Sequence, residues 1–204
     1  MSALRSKPEF DPVLSFPARD QAVVKKHYAA ANAILEYGSG GSTVLAASLG
    51  KPVMSVESDP SWANQMNAFL TEQHPNAQAA VTHVDIGKTG KWGKPLKPDG
   101  ALNYHSYPMS AWDSEGFQHP DVILIDGRFR VACFCTVLLR LNRPATVLFD
   151  DYKERERYHI VERLFKPVEQ HEQMAVFELS PTQIPTEEWG WVIQSFFQTA
   201  YAKR

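Results

Sequence analysis

ILEYGSGGST, residues 34–43, leaves an apolar run through an acid, Glu36, and then spends three glycines, Gly38, Gly40 and Gly41, on a turn. The apolar start predicts a short strand over Ala33 to Glu36. Ser42 to Leu49 reads as a helix, with hydroxyls at its start and Gly50 just past its end, the expected cap chemistry. A glycine turn between strand and helix lets a ligand approach the backbone, since glycine carries no Cβ. The helix start beyond it offers free N–H groups and a positive dipole end to an anion.

The pattern extends outward from that turn. Residues 18–33 predict a helix carrying Val23, Val24, His27, Tyr28 and Ala31 at helical spacing. Val53 to Glu57 is a second strand. Asp59-Pro60 then opens a helix as N-cap and first-turn proline, with Trp62, Met66, Phe69 and Leu70 on one face. Val81 to Asp85 predicts a third strand. DVILID, residues 121–126, and ATVLFD, residues 145–150, are continuous apolar runs ending in acids, as expected of strands buried on both faces.

Between and after those runs, helices are predicted over Phe129 to Leu141 and Glu154 to Phe165. Val168 to His171 and Met174 to Leu179 pair around Glu172-Gln173, and a C-terminal helix follows over residues 186–203. Alternating strands and helices predict an α/β domain with a mostly parallel sheet. The 204 residues suit one domain spanning 1–204. The exception to the alternation is residues 87–120, rich in glycine and proline, and loops that long are often functional. Their aromatics, Trp92, Tyr104, Tyr107, Trp112 and Phe117, suit either a private core or the wall of an acceptor pocket. A cover that closes over bound ligands is the expectation for the segment. His105 and His119 also fall in it.

A net charge of −2 gives no support to a nucleic-acid or anionic-membrane partner. The first twelve residues lack the apolar core of a secretory signal, and no run approaches the ~18 apolar residues of a membrane span. Cys133 and Cys135 have neither disulfide-framework nor zinc spacing and read as buried thiols in a cytoplasmic protein. The aromatic face of the C-terminal stretch suits packing or a homodimer contact.

Glu57 lies 19 residues beyond Gly38, where a strand-end acid can accept hydrogen bonds from ribose hydroxyls, although Ser58-Asp59-Pro60 also allows plain turn chemistry. A dinucleotide site wants a small residue at the fifth position after its first glycine. That place holds Thr43. Glu36, aimed into the pocket, would repel a pyrophosphate and pair with an ammonium. A ligand joining an amino acid to an adenosine meets both demands, and S-adenosylmethionine is such a ligand.

On these residues the sequence resembles the class I S-adenosylmethionine-dependent methyltransferases over roughly residues 18–180, and in particular a branch with a Gly-Ser-Gly-Gly-Ser-Thr loop. Glu36 to Thr43 matches the first motif, with Ser42 where many members have a third glycine. Glu57 matches the ribose acid, and Asp85 sits where the family contacts adenine. Asp126 and the LFDDY stretch match later motifs. Arg128 and Phe129 stand where relatives carry a His or Lys. The resemblance implies a seven-stranded sheet of order 3-2-1-4-5-7-6. It implies a cofactor set of Glu36, Tyr37, Gly38, Ser39, Gly40, Gly41, Ser42, Thr43, Glu57, Ser58, Asp85, Ile86 and Asp126, and a small-molecule acceptor methylated on an oxygen.

Asp126 and Asp150 are the catalytic candidates. Together with Asp151 they would crowd three carboxylates unless a cation sat between them. A hard divalent ion such as Mg²⁺ is one expectation, which would make the three metal ligands. The other is that Asp151-Tyr152-Lys153-Glu154 is a capping box starting the next helix. Two further functions stay open: a binding protein without turnover, and a nicotinamide-dependent oxidoreductase.

Overall fold

β1 (Ile34–Tyr37) and β4 (Val122–Ile125) are buried at every position, because they lie side by side at the centre of a sheet covered by helices on both faces. The computed structural model describes residues 10–202. In it β1 pairs parallel with β2 (Val53–Glu57) and with β4, β2 with β3 (Ala79–His83), and β4 with β5 (Ala145–Phe149). β7 (Ala175–Leu179) runs antiparallel to β5, and β6 (Glu169–Gln170) antiparallel to β7. The sheet order is β3-β2-β1-β4-β5-β7-β6, the order the resemblance implies.

Period-two alternation divides the core. Leu35 and Tyr37 face one side, where α5 (Arg130–Arg140) packs with Cys133, Phe134 and Val137. Ile34 faces the other, against Val24 and Tyr28 of α1 (Ala18–Ala30) and Ala46 of α2 (Gly41–Ser48). α3 (Pro60–Gln73) starts at Asp59, whose carboxylate accepts from the Ser61 and Trp62 amides at 2.9 and 3.1 Å. Both cysteines are free and buried. No helix among the described residues is long and apolar enough to cross a membrane.

Several boundaries differ from the sequence reading. α1 ends at Ala30, since the Asn32 and Ala33 amides are drawn off to the Asp121 carboxylate at 3.0 and 3.1 Å. β3 stops at His83, because Asp85 instead receives the Gly87 amide at 2.8 Å. Residues 156–163 form 3₁₀ turns rather than an α-helix, and their buried contacts, Tyr158 and Val161, sit three apart, the repeat of that geometry. The C-terminal helix shrinks to α6 (Trp189–Ser195) behind one 3₁₀ turn. The chain then doubles back, and the Ala202 amide donates to the Pro95 carbonyl at 2.9 Å. The first nine residues, part of the stretch read for a secretory signal, lie outside the described residues, as does Lys203 at the end of the expected helix.

Residues 87–120 are mostly not a detachable cover. They form 3₁₀ turns and one helical turn, α4 (Ser106–Met109), that plant Tyr104, Tyr107 and Trp112 in the main core. Tyr37 donates its hydroxyl to Pro108 O and accepts from Trp112 Nε1, both at 2.7 Å. The turn around Trp92, which is 71% exposed, stands out from that packing, as does Leu102 at 87%.

Candidate functional site

A cleft of about 650 Å³ opens at the carboxyl ends of β1, β2, β4 and β5, where open α/β sheets bind ligands. Gly38, Ser39, Gly40, Gly41 and Ser42 form its floor, and Glu57, Ser58, Asp59 and Trp62 one end. Asp126, Asp150 and Asp151 stand at the other with Arg128, Arg130 and Arg155.

Gly38 takes φ 103°, a left-handed conformation that side chains resist. A Cβ there would also press to 3.1 Å from the Gly127 amide, and one on Gly127 would overlap the Tyr107 hydroxyl. The turns after β1 and β4 therefore touch, backbone to backbone, and bring Gly38 beside Asp126. Tyr107 bridges above them: its hydroxyl donates to Val56 O at 3.2 Å and accepts from the Arg128 amide at 3.3 Å.

Glu57 is split between two tasks. Its Oε1 accepts from the Ser58 and Asp59 amides at 2.7 and 3.0 Å, which is the turn chemistry. Among the described residues its Oε2 holds only the Ser39 hydroxyl, at 3.3 Å, and the side chain lines the cleft. Burial raises its pKa, opposed by those amides. Ser58 donates its hydroxyl to Gly93 O at 2.9 Å, so the turn carrying Trp92, Gly93 and Lys94 roofs this end.

Glu36 is not in the cleft wall, contrary to the sequence reading. It shares the parity of Ile34 and turns under the sheet, fully buried. Its Oε1 accepts from Tyr28 at 2.7 Å, and its Oε2 from Thr43 and Ser55, each at 2.5 Å. Thr43 Oγ1 in turn accepts the Gly40 amide at 3.0 Å. Glu36 thus fixes the shape of the glycine turn from beneath the sheet. Tyr37 and Thr43 are likewise fully buried and off the cleft. Asp85 is exposed and caps Gly87, and Ile86 lies beneath Gly100, so neither lines the cleft. His105 and His119 are held by backbone contacts to Leu102 and to Asn142, away from it.

The three acids converge as their positions suggested, and a guanidinium stands among them. Arg130 Nη2 lies 2.9 Å from Asp126 Oδ1 and 3.0 Å from Asp151 Oδ2, and Nη1 lies 3.4 Å from Asp150 Oδ2. Asp151 also pairs with Arg155 at 2.7 Å. It adopts φ 56° in a turn that precedes 3₁₀ structure, so the capping box does not form. Burial, and next the Asp126 charge, push the Asp150 pKa up to about 8. Asp150 Oδ1 is buried with no hydrogen-bond donor among the described residues, and a proton held there and shared with Asp126 removes the deficit. One guanidinium and one proton meet the need for positive charge. The donor set therefore does not fit a Mg²⁺ ion, which would have to displace the buried Arg130.

Sequence reasoning missed the strap ahead of α1. Residues Asp11 to Phe16 line the cleft and cross α2 so closely that any Cβ on Gly41 would overlap Val13 and Leu14. Phe10 packs edge-on to Trp62 at 4.9 Å, and Gln21 Nε2 donates to Leu14 O and Phe16 O. No periodicity marks such an extended stretch. Trp62 was visible only as a helix face, yet its Nε1 donates to Ser39 O at 3.0 Å. Arg130 was legible in principle, four residues after Asp126.

By this sheet and this cleft the chain belongs to the class I S-adenosylmethionine-dependent methyltransferase family. It is 41% identical to a methyltransferase-like protein from Silicibacter pomeroyi DSS-3, over 92% of this chain and 98% of that one, with a TM-score of 0.87. Its fold also matches a methyltransferase from Geobacter sulfurreducens at 9% identity (TM-score 0.54; 83% of this chain, 82% of that one). An RNA methyltransferase from Salinibacter ruber, solved with S-adenosyl-L-homocysteine, matches at 12% (TM-score 0.51; 85% and 97%). No protein-family model matches the chain, and no curated protein does.

Proposed function

We propose that the protein transfers a methyl group from S-adenosylmethionine to a hydroxyl of a small-molecule acceptor. The observation that carries this is the single cleft with Glu57 and a glycine turn at one end and the Asp126–Asp150 pair at the other. When bound, S-adenosylmethionine supplies an electrophilic methyl on a sulfonium, which leaves as neutral S-adenosylhomocysteine. Glu57 Oε2 would take the ribose hydroxyls, Trp92 and Ser58 the adenine side, and the strap at Leu14 and Ser15 the amino-acid end. Asp126, 38% exposed where Asp150 is 8%, faces the cleft and carries the negative charge of the pair. It accepts the acceptor's O–H proton as the O–CH₃ bond forms and the S–CH₃ bond breaks. Holding the reacting atoms in line accounts for much of the barrier reduction.

Free buried thiols suit the reducing cytoplasm this reading assumes. The size of the cleft suits a small acceptor and gives no reason to invoke nucleic acid. The test is calorimetric titration of the full chain with S-adenosylmethionine, S-adenosylhomocysteine and NAD, followed by S-adenosylhomocysteine release over a panel of hydroxylated acceptors. Binding of NAD alone would return the protein to the oxidoreductases. A second reading, cofactor binding without turnover, is favoured by Arg130, which already engages the acids a base would need. Binding with no release on any acceptor would select it.

A further inference from the structure

Behind Arg128 a second cleft of about 270 Å³ adjoins the first, and Gly127, Arg128 and Arg130 line both. Its walls are the amino end of α5, Tyr158 and the returning chain at Gln198 and Thr199, and Arg157 stands at its mouth. No acid lines it.

Two of its guanidinium groups make no direct ion pair among the described residues: neither Arg128 nor Arg157 has a carboxylate within ion-pair distance. Arg128 is half-buried; burial and the neighbouring Arg130 press against its charge, and Asp126, beyond ion-pair distance, offsets this only in part. A partly desolvated cation beside another cation gains from an anion in direct contact. Arg157 is held in place over the Tyr158 ring, its guanidinium carbon 5.0 Å from the centroid, with Nη2 3.3 Å from the hydroxyl. Arg130 approaches the same ring at 5.9 Å. Three guanidinium groups therefore edge one small cavity, and among the described residues only Arg130 is ion-paired, with Asp126, Asp150 and Asp151.

We infer that this arginine-lined cleft seats an oxyanion, a carboxylate or a phosphate, carried by the methyl acceptor. The planar fork of a guanidinium matches both groups. The volume holds on the order of nine waters' worth of matter, enough for such a group and the carbon bearing it. An acceptor anchored there extends past Arg128 into the main cleft and brings its hydroxyl to Asp126. This deepens the methyltransferase reading and rests on it for the hydroxyl, while the anion site stands on its own residues.

The test uses the full chain saturated with S-adenosylhomocysteine, so that the glycine turn is occupied. Inorganic phosphate and succinate are titrated separately at constant ionic strength, by calorimetry and by thermal shift. At least one of them is expected to bind, and the arm that responds names the oxyanion. Arg157→Gln should weaken that binding about fivefold or more, and Arg157→Lys should fall between. S-adenosylhomocysteine affinity should stay unchanged in both. Lys51→Gln, a charge change elsewhere on the surface, should alter nothing. If neither anion binds, or both bind the Arg157 variants as tightly as the parent, the inference is overturned. Should S-adenosylhomocysteine fail to bind, the methyltransferase reading falls, and the same titration on the free protein still decides the anion site.

Discussion

Glu36 Oε2 and Thr43 Oγ1 lie 2.5 Å apart under the sheet, and the same threonine oxygen receives the Gly40 amide. An acid at the end of one strand thereby sets the backbone of the turn that follows it. Glu36→Ala strands the hydroxyls of Tyr28, Thr43 and Ser55 in a dry site and should cost about 2–4 kcal/mol of stability. Glu57→Ala, at the cleft, frees the Ser58 and Asp59 amides and should cost about 1–2 kcal/mol of stability, less than Glu36→Ala, while weakening S-adenosylhomocysteine binding by about 1.5–3 kcal/mol. Denaturant unfolding and calorimetry on both variants separate the two roles. Equal effects from the two would show that the division is wrong.

Asp150 should leave a pH signature. Its folded pKa of about 8 lies above the ordinary 3.8, so the native state keeps a proton that the unfolded chain releases. That contribution is whole below about pH 4 and is lost as pH rises through about 8. Asp150→Asn, which keeps a donor toward Asp126, removes the titration. Between about pH 5 and about pH 9 the melting temperature of the variant should gain on that of the parent. Parallel curves would deny the raised pKa.

Removing Arg130 should reveal the latent acid cluster. Arg130→Gln leaves buried carboxylates without their counter-charge and should cost about 3–5 kcal/mol. Added Mg²⁺ or Mn²⁺ is expected to recover part of the melting temperature of the variant and to leave the parent unmoved. Turnover of the parent should survive EDTA. A parent that is itself stabilised by millimolar Mg²⁺, or silenced by EDTA, would restore the metal site.

Gly127→Ala should be costly because the new methyl meets the Tyr107 hydroxyl and stands 2.8 Å from the Gly38 amide. A loss of about 1–3 kcal/mol is expected from overpacking. Tyr107→Phe in the same chain clears one of the two obstacles and should return part of the loss, a coupling that a double-mutant cycle measures.

The sheet was legible because its strands are marked locally: the interiors of DVILID and ATVLFD are almost wholly apolar and each run stops at an acid, and Asp59-Pro60 announces its helix. Glu36 was misplaced for a reason also in the sequence. It shares a face with Ile34, and that face packs on Tyr28 of the preceding helix, so parity already turned it from the cleft. What sequence could not convey are contacts between distant extended segments. The strap over Gly41, the tail at Pro95 and the meeting of Arg128 with Arg157 have no periodicity to betray them.

The hydrogen bond from Ala202 to Pro95 joins two exits. Pro95 follows the turn whose Gly93 carbonyl is latched by Ser58 above Glu57, and the residues just before Ala202 wall the arginine cleft. On the proposed reading, a nucleoside leaving past Trp92 would lift that turn, and lifting it would pull on the tail that borders the arginine cleft. The two departures would then share one mechanical event. Turnover would be paced by the rupture of a few tail contacts rather than by the chemistry of the methyl group, and viscosity rather than acceptor nucleophilicity would govern its rate.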